Sequence, residues 1–485
     1  MDPVQHNQKT RLLQRSDWLA GLLTFLIALT AYTLTLQPTV GLEDSGELVV
    51  AADYLGVPHP PGYPIWTVLA WLFQLIFHGV RFHGHPNPAW GVNFFSAVSG
   101  AAACGVIAML TSLSGRRLVQ ALKKGETATT RAEEPFFSAA AGITAGLLLA
   151  FSQGMWSQSV IAEVYALNVF FQSIMLLLLY LWWLRPDDFR PFYLMAFLYG
   201  LGMTNHQTLV FMGLALAAAV WLKEVRPGKE MLFSLLAAAC AVACIIAPRL
   251  AVWPELLPAT VFMTVVGTIG ALCFAWLLRA MPLFRDFFIT ALFFVLVKSV
   301  NMLATHAGMH HLTWIQGPSS AAFWVWSATV LLIPLAARFL LPQGRRVGMV
   351  YGLVLLGLAF YLYLPIASSR NPPMNWGYAR TWEGFLHVLT RGQYERVVLA
   401  DVFSRKFLLQ MLLYLRDIRA QFLLPFAALG LLPFLTVMRS GARNAKWLLI
   451  SLTAFLGVGL VFIILQNPST DLQTLFIARV QYIQS

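Results

Sequence analysis

Four carboxylates, Glu43, Asp44, Glu47 and Asp53, fall within VGLEDSGELVVAADYLGVPHPPGYP (residues 40–64), a stretch that holds no Lys or Arg. A cluster of acids beside a long apolar run calls for chemistry at a membrane surface. Asp44 and Glu47 are three apart, so they share a face if a helix begins near Asp44. A carboxylate in hydrogen-bond reach of an acceptor hydroxyl can serve as its general base. The same letters also read as a helix start, with Asp44 or Ser45 as cap and Glu47 as its capping-box partner. The two readings are compatible, because a helix N-terminus also fixes a carboxylate in place. The following His59-Pro60-Pro61-Gly62-Tyr63-Pro64 is a rigid turn. His59 could reach an acceptor or a phosphate from it, or simply belong to the turn.

Further residues fit a substrate pocket, and each has a plainer reading. Glu163 and Tyr165 open an apolar run, where an acid is often only solvated. Asn205-His206-Gln207 sits in a tight turn between two runs, either capping it or donating to a phosphate or sugar. Lys298 lies within an apolar run, where it snorkels or faces a cavity with an anionic partner. Arg370, in SSRNPPMNWG, suits bidentate phosphate recognition. Trp376 could stack on a sugar or belong to an interfacial belt. Arg391 starts an Arg-rich stretch to 419 that phosphates or anionic headgroups would attract. His306, His310 and His311 lack a Cys or paired carboxylate at ligand spacing, so no metal is expected there.

The elements that must position these residues are membrane helices. The chain is 58% hydrophobic and 11% charged, with a mean hydropathy of +0.68. Apolar runs of about 20 residues recur along it, as bilayer-spanning helices require. Spans are expected at 18–36, 90–113, 136–153, 164–184, 191–205, 208–222, 231–250, 259–279, 286–304, 320–340, 347–365, 421–438 and 446–465, about thirteen in all. The net charge of +12 sits in short loops between runs, which argues against nucleic acid. The cysteines Cys104, Cys240, Cys244 and Cys273 lie inside apolar runs, so no disulfide is expected. The run 63–78 is short for a span. Laid along the interface, with Trp66, Trp71 and His78 at headgroup depth, it leaves the loop 114–135 (Arg116, Arg117, Lys123, Lys124, Arg131) inside with Lys9, Arg11 and Arg15. Two large outer loops then follow, an acidic one at 37–89 and a basic one at 366–420. The chain is expected to end outside at Ser485, with no further soluble domain.

The order D-S-G-E, L-G-V-P-H-P-P-G-Y-P, W-S-Q-S-V-I-A-E-V-Y-A-L-N, G-L-G-M-T-N-H-Q-T and R-N-P-P-M-N-W-G over residues 44–377 resembles a bacterial multipass membrane family. That family is related to the eukaryotic O-mannosyltransferase that modifies plexin and hepatocyte-growth-factor-receptor ectodomains, and is similar to the GT-C glycosyltransferase superfamily. The resemblance implies one GT-C-like all-α domain over 1–485, a polyprenyl-phosphate-linked sugar donor and inverting transfer. It implies a base among the first-loop acids, with Asp44 on the family's loop acid and Glu47 on its partner. The His59 turn is similar to one in protein O-mannosyltransferases, and Glu43 stands where relatives often carry an aromatic residue. Glu163, His206 and Arg370 fall on the remaining motif positions.

The expectation is an inverting glycosyltransferase of the cytoplasmic membrane, with its site on the outer face and a hexose such as mannose as cargo. Asp44 and Glu47 carry catalysis. Arg370, His206, Lys298 and Arg391 take the donor phosphate. Glu43, His59, Glu163, Tyr165, Asn205, Asn375 and Trp376 line the pocket. The acceptor is a hydroxyl on protein, lipid or glycan; no cofactor is certain, and a divalent metal stays open. The alternatives are a secondary transporter, which predicts acids and helix breaks at the bilayer midplane, and a non-catalytic membrane scaffold.

Overall fold

The computed structural model describes residues 12–123, 134–246, 259–394, 398–422, 424–437 and 439–469, with scattered residues from 471 to 484. The expectations attached to Lys9, Arg11, Lys124 and Arg131 lie outside the described residues. Among the described residues the chain is all-α apart from one hairpin. In order, the helices are α1 (Arg15–Leu34), α2 (Ser45–Tyr54), α3 (Pro64–Ile76), α4 (Pro88–Leu122), α5 (Glu134–Ala150), α6 (Gln153–Ser159), α7 (Tyr165–Leu184), α8 (Arg190–Met203) and α9 (Met212–Glu224). They continue as α10 (Lys229–Ile246), α11 (Ala259–Ala280), α12 (Pro282–His306), α13 (Ala321–Leu340), α14 (Gly344–Leu358), α15 (Tyr363–Ser369), α16 (Trp382–Leu389) and α17 (Arg405–Phe422). Shorter pieces, Leu424–Leu429 and Leu432–Leu435, precede Ala442–Leu456 and Phe462–Gln466. The hairpin pairs Arg81–Phe82 with His85–Pro86 between α3 and α4.

Among the described residues ten helices are long and apolar enough to cross a membrane, or up to twelve if each of two bent pairs forms one span. This is a multipass membrane protein. The run 191–205 yields α8, only 14 residues long, yet it carries the chain from the end of α7 back to its start, where Asn205 donates to the Val164 carbonyl. The run 421–438 breaks into the two short helices after α17 and belongs to one bent pair. Helix α3, at 13 residues, is short for a crossing.

Two compact units form, Met1–Leu216 with Leu353–Ser485, and Ala217–Gly352. The first is built on α1, α4, α5 and α7. Small residues let these helices approach closely, as membrane packing favours. A Cβ on Gly105 of α4 would lie 2.8 Å from the Gly21 carbonyl of α1, and one on Gly146 of α5 would lie 2.7 Å from the Cys104 carbonyl of α4. All four cysteines are unpaired. In the second unit, the Glu224 carboxylate accepts the backbone N–H groups of Leu283 and Phe284 at 3.1 and 2.8 Å, capping α12. His306, His310 and His311 are exposed there.

One loop marker turns out to be structural. Arg116 lies inside α4, fully buried, and grips the buried Asp17 of α1 with two hydrogen bonds of 2.8 Å. Ser112 also donates to Asp17, at 2.7 Å. Removing one member of a buried pair strands the other charge, at a cost of about 3–5 kcal/mol. Arg116→Ala is therefore expected to lower the thermal unfolding midpoint in detergent by several degrees. An unchanged midpoint would show that the pair holds nothing together.

Candidate active site

Asp44 occupies the N-cap position of α2, yet its side chain makes no capping hydrogen bond. Glu47, one turn in, does not turn back to the cap either. Its Oε1 accepts the backbone N–H of His59 and stands 3.2 Å from that ring's Nδ1. The capping-box reading therefore fails, and both carboxylates are directed at the His-Pro-Pro turn. The other ring nitrogen, Nε2, lies 2.8 Å from the Tyr63 hydroxyl and 3.8 Å from Asp44 Oδ2. Asp44 is 57% exposed while the His59 ring is 11% exposed, so the acid is open to its surroundings and the ring backs it.

Glu43 and Glu163 complete the acidic side. Gln158 donates to Glu43 at 3.4 Å, and burial raises the Glu43 carboxyl above its usual range. Glu163 is buried. The indole of Trp66 donates to its backbone carbonyl at 3.0 Å, and Val164 N–H donates to its carboxylate at 3.3 Å. Trp66 is thus fully buried as a strut. Burial, then the charges of Asp44 and Glu43, push the Glu163 carboxyl well above the carboxylate range. Between the ordinary range and that raised value, the folded chain keeps a proton that the unfolded chain has lost. Stability therefore falls as pH rises through this window. Glu163→Gln should flatten that fall, as thermal unfolding of both proteins across pH would read; parallel slopes would contradict the assignment.

The second loop closes on this group through its backbone. Val57 N–H donates to the Met374 carbonyl and Trp376 N–H donates to the Val57 carbonyl, both at 2.8 Å. The Tyr363 hydroxyl adds a bond of 2.9 Å to the Gly56 carbonyl. The Trp376 ring meets His59 edge-on, with centroids 6.4 Å apart. Asn375 donates to the Ser368 carbonyl at 3.3 Å, and its Oδ1 has no partner. Val57, Leu364, Ala379 and Val388 bury one another beneath the seam. A Cβ on Gly62, where φ is +85°, would meet Leu364 at 2.6 Å, so only glycine brings the turn this close.

A cationic side faces Tyr63. His206 stacks parallel to the Tyr63 ring, with centroids 6.2 Å apart, and Tyr165 lies 5.4 Å from the same imidazole. His206 also caps the short turn after it, its Nδ1 accepting from Thr208 N–H at 3.4 Å, so the capping reading holds for that nitrogen. Asn205 donates to the Val164 carbonyl at 3.2 Å, and its buried Oδ1 lacks a partner. Gln207 donates to the Leu389 carbonyl at 2.9 Å, fixing the end of α16 just before Arg391. The Arg391 guanidinium lies 4.3 Å from the Tyr394 ring centroid, and its charge acts on Tyr63 and His206. Burial, then the charges of Arg391 and His59, push His206 down to about 3, leaving a neutral imidazole. Glu43, Tyr63 and Arg391 all project from left-handed backbone, at φ 61°, 42° and 57°. Such strain persists where the surroundings over-determine it, commonly at functional sites.

The four expected donor-site residues thus separate. Arg391 and His206 are brought to Tyr63. Arg370 is exposed at the end of α15, and its charge acts on Tyr363. Lys298 lies in the second unit, exposed on α12 rather than enclosed by that unit. Tyr63 was not singled out from sequence, although it stands in the HPPGYP motif. Its hydroxyl meets the His59 imidazole that Asp44 and Glu47 flank, and its ring meets the neutral His206, with the Arg391 charge acting on both. Ligand atoms of Asp44, Glu47 and His59 lie within 4.8 Å of one another, the spacing of a metal site among the described residues. However, Glu47 and Asp44 meet opposite nitrogens of the ring.

Comparison with known proteins gives two consistent results. Residues 44–229 match the family model described as the Protein O-mannosyl-transferase TMEM260 N-terminal domain. The chain is 27% identical over 244 residues to the protein O-mannosyl-transferase tmem260 of Dictyostelium discoideum, covering 48% of this chain and 26% of that protein. It is 30% identical over 228 residues to the protein O-mannosyl-transferase TMEM260 of Mus musculus, covering 45% and 28%. The match therefore spans little more than a quarter of either relative. No solved structure matches.

Proposed function

We propose that this chain is an inverting, GT-C-type membrane glycosyltransferase that moves a hexose, with mannose the first candidate, from a polyprenyl phosphate to a hydroxyl acceptor. The observation that carries this reading is the convergence on Tyr63 of a base-bearing acidic side and a cationic side drawn from two distant loops. Asp44 takes the acceptor proton. The acceptor oxygen attacks the anomeric carbon from the face opposite the phosphate, and the C–O bond to the phosphate breaks. Arg391 offsets the phosphate charge, with neutral His206 as a hydrogen-bonding neighbour; preorganised charge of this kind is usually the largest catalytic term. Trp376 and Asn375 border the sugar, and Arg370 guides the lipid phosphate from outside. The names of the relatives make a protein hydroxyl the first acceptor to test, ahead of lipid or glycan. The reading puts the site on the outer face of the cytoplasmic membrane, with the N-terminus inside, as the basic short loops favour.

The test is to incubate purified protein with a panel of polyprenyl-phosphate sugars and follow release of the free lipid phosphate. One donor should be consumed with transfer to an acceptor; no release from any donor would sink the reading. Because no step is routed through a divalent ion, transfer is expected to persist in EDTA. A strict requirement for added Mn²⁺ would show that the metal left open by the sequence takes part.

A further inference from the structure

We infer that His59 is the final acceptor of the proton that Asp44 removes, and that Glu47 is the positioning residue that prepares it; this rests on the transfer reading above. Glu47 holds His59 at two points, its backbone N–H and its Nδ1 at 3.2 Å. An ionised carboxylate only accepts hydrogen bonds, so Nδ1 carries the hydrogen and Nε2 presents its lone pair. That lone pair receives the Tyr63 hydroxyl at 2.8 Å and looks toward Asp44 Oδ2 at 3.8 Å. The gap to Asp44 is one small side-chain rotation, or one bridging water, from a hydrogen bond. The groups facing the ring are Glu47 on α2, Asp44 at its start, Tyr63 in the same turn, the Trp376 ring from the second loop, and neutral His206. Among these, the carboxylates of Asp44 and Glu47 lie against the two nitrogens, one at each.

This arrangement answers a problem that Asp44 alone leaves open. After one transfer the acid is protonated and must be cleared before the next acceptor arrives. The proton passes from the acceptor oxygen to Asp44, then to Nε2 of His59. Both ring nitrogens then carry hydrogens, Nδ1–H toward Glu47 and Nε2–H toward the Tyr63 oxygen, with Glu47 offsetting the new positive charge. No other reactant is needed, and water removes the proton when the product leaves. The opposed approach of the two acids to the ring suits a proton chain.

The test compares wild-type protein with Glu47→Gln and His59→Gln in a pH profile of kcat/KM. His59→Gln should lower kcat at least tenfold, leave donor KM within about twofold, and move the acid limb of the profile; Glu47→Gln should move that limb part of the way in the same direction. An unmoved limb in both variants overturns the inference. So does stoichiometric Mn²⁺ binding by electron paramagnetic resonance that is lost in His59→Gln. A second measurement needs no turnover: nitrogen NMR of ¹⁵N-histidine-labelled protein should show His59 protonated at Nδ1 and bare at Nε2, and Glu47→Gln should scramble that preference. The opposite tautomer overturns the inference even if transfer is found. Absence of any turnover, with the expected tautomer present, would instead count against the transfer reading.

Discussion

Asp44→Asn is expected to lower sugar transfer by about 10²–10⁴-fold, the usual contribution of a general base, while leaving the protein folded. Its side chain is 57% exposed and caps nothing, so the fold does not depend on its charge. Asn has nearly the same shape and keeps an acceptor oxygen, but it cannot take a proton. The loss should fall on kcat more than on donor KM, because the interaction that disappears develops only as the acceptor oxygen attacks. Glu43→Gln is the control. Glu43 is tied to Gln158 at 3.4 Å and does not approach the His59 ring as Asp44 does, so its loss should cost far less. Equal losses at Glu43 and Asp44, or full turnover by Asp44→Asn, would remove Asp44 from the role.

Arg391→Ala should cost about 10²–10³-fold in transfer, the size of effect seen when one preorganised charge-stabilising group is removed. Arg391 is the expected donor-site cation whose charge reaches Tyr63 and His206, and its backbone is held at φ 57° by the end of α16. Arg391→Lys should recover only part of the loss, because a point charge does not reproduce the planar fork. Arg370→Ala should mainly raise donor KM, since that side chain is exposed at the mouth. Kinetics of the three variants with one lipid-linked donor would decide. A larger defect in Arg370→Ala than in Arg391→Ala would restore the ordering expected from sequence.

Much of the scaffold could be read directly. Apolar run length reports membrane crossing because an unsatisfied backbone is so costly in lipid, and that rule found most of the helices. Hydropathy could not show that the Trp66 indole braces the Glu163 backbone from inside. Asp44, Glu47 and His59 were legible as chemistry because acids and an imidazole in an apolar chain need partners. What their spacing could not reveal was the pairing. Twelve residues separate Glu47 from His59, and only the turn through Pro60–Gly62 folds one onto the other. Tyr63 escaped notice because a tyrosine beside prolines reads as turn packing. Its importance comes from a stacked ring contributed by His206, far along the chain.

The backbone seam joining Val57 to Met374 and Trp376 also bears on how the protein comes into being. Gly56 and Tyr363, bonded across the same seam, are 307 positions apart in the chain. A ribosome will therefore have threaded every early helix into the membrane well before the cationic wall emerges. On the proposed transfer, the nascent polypeptide until then displays its acids without Arg391 opposite them and consumes no donor. A premature stop upstream of that seam would then yield an inert product, and activity itself would report that synthesis has passed the seam.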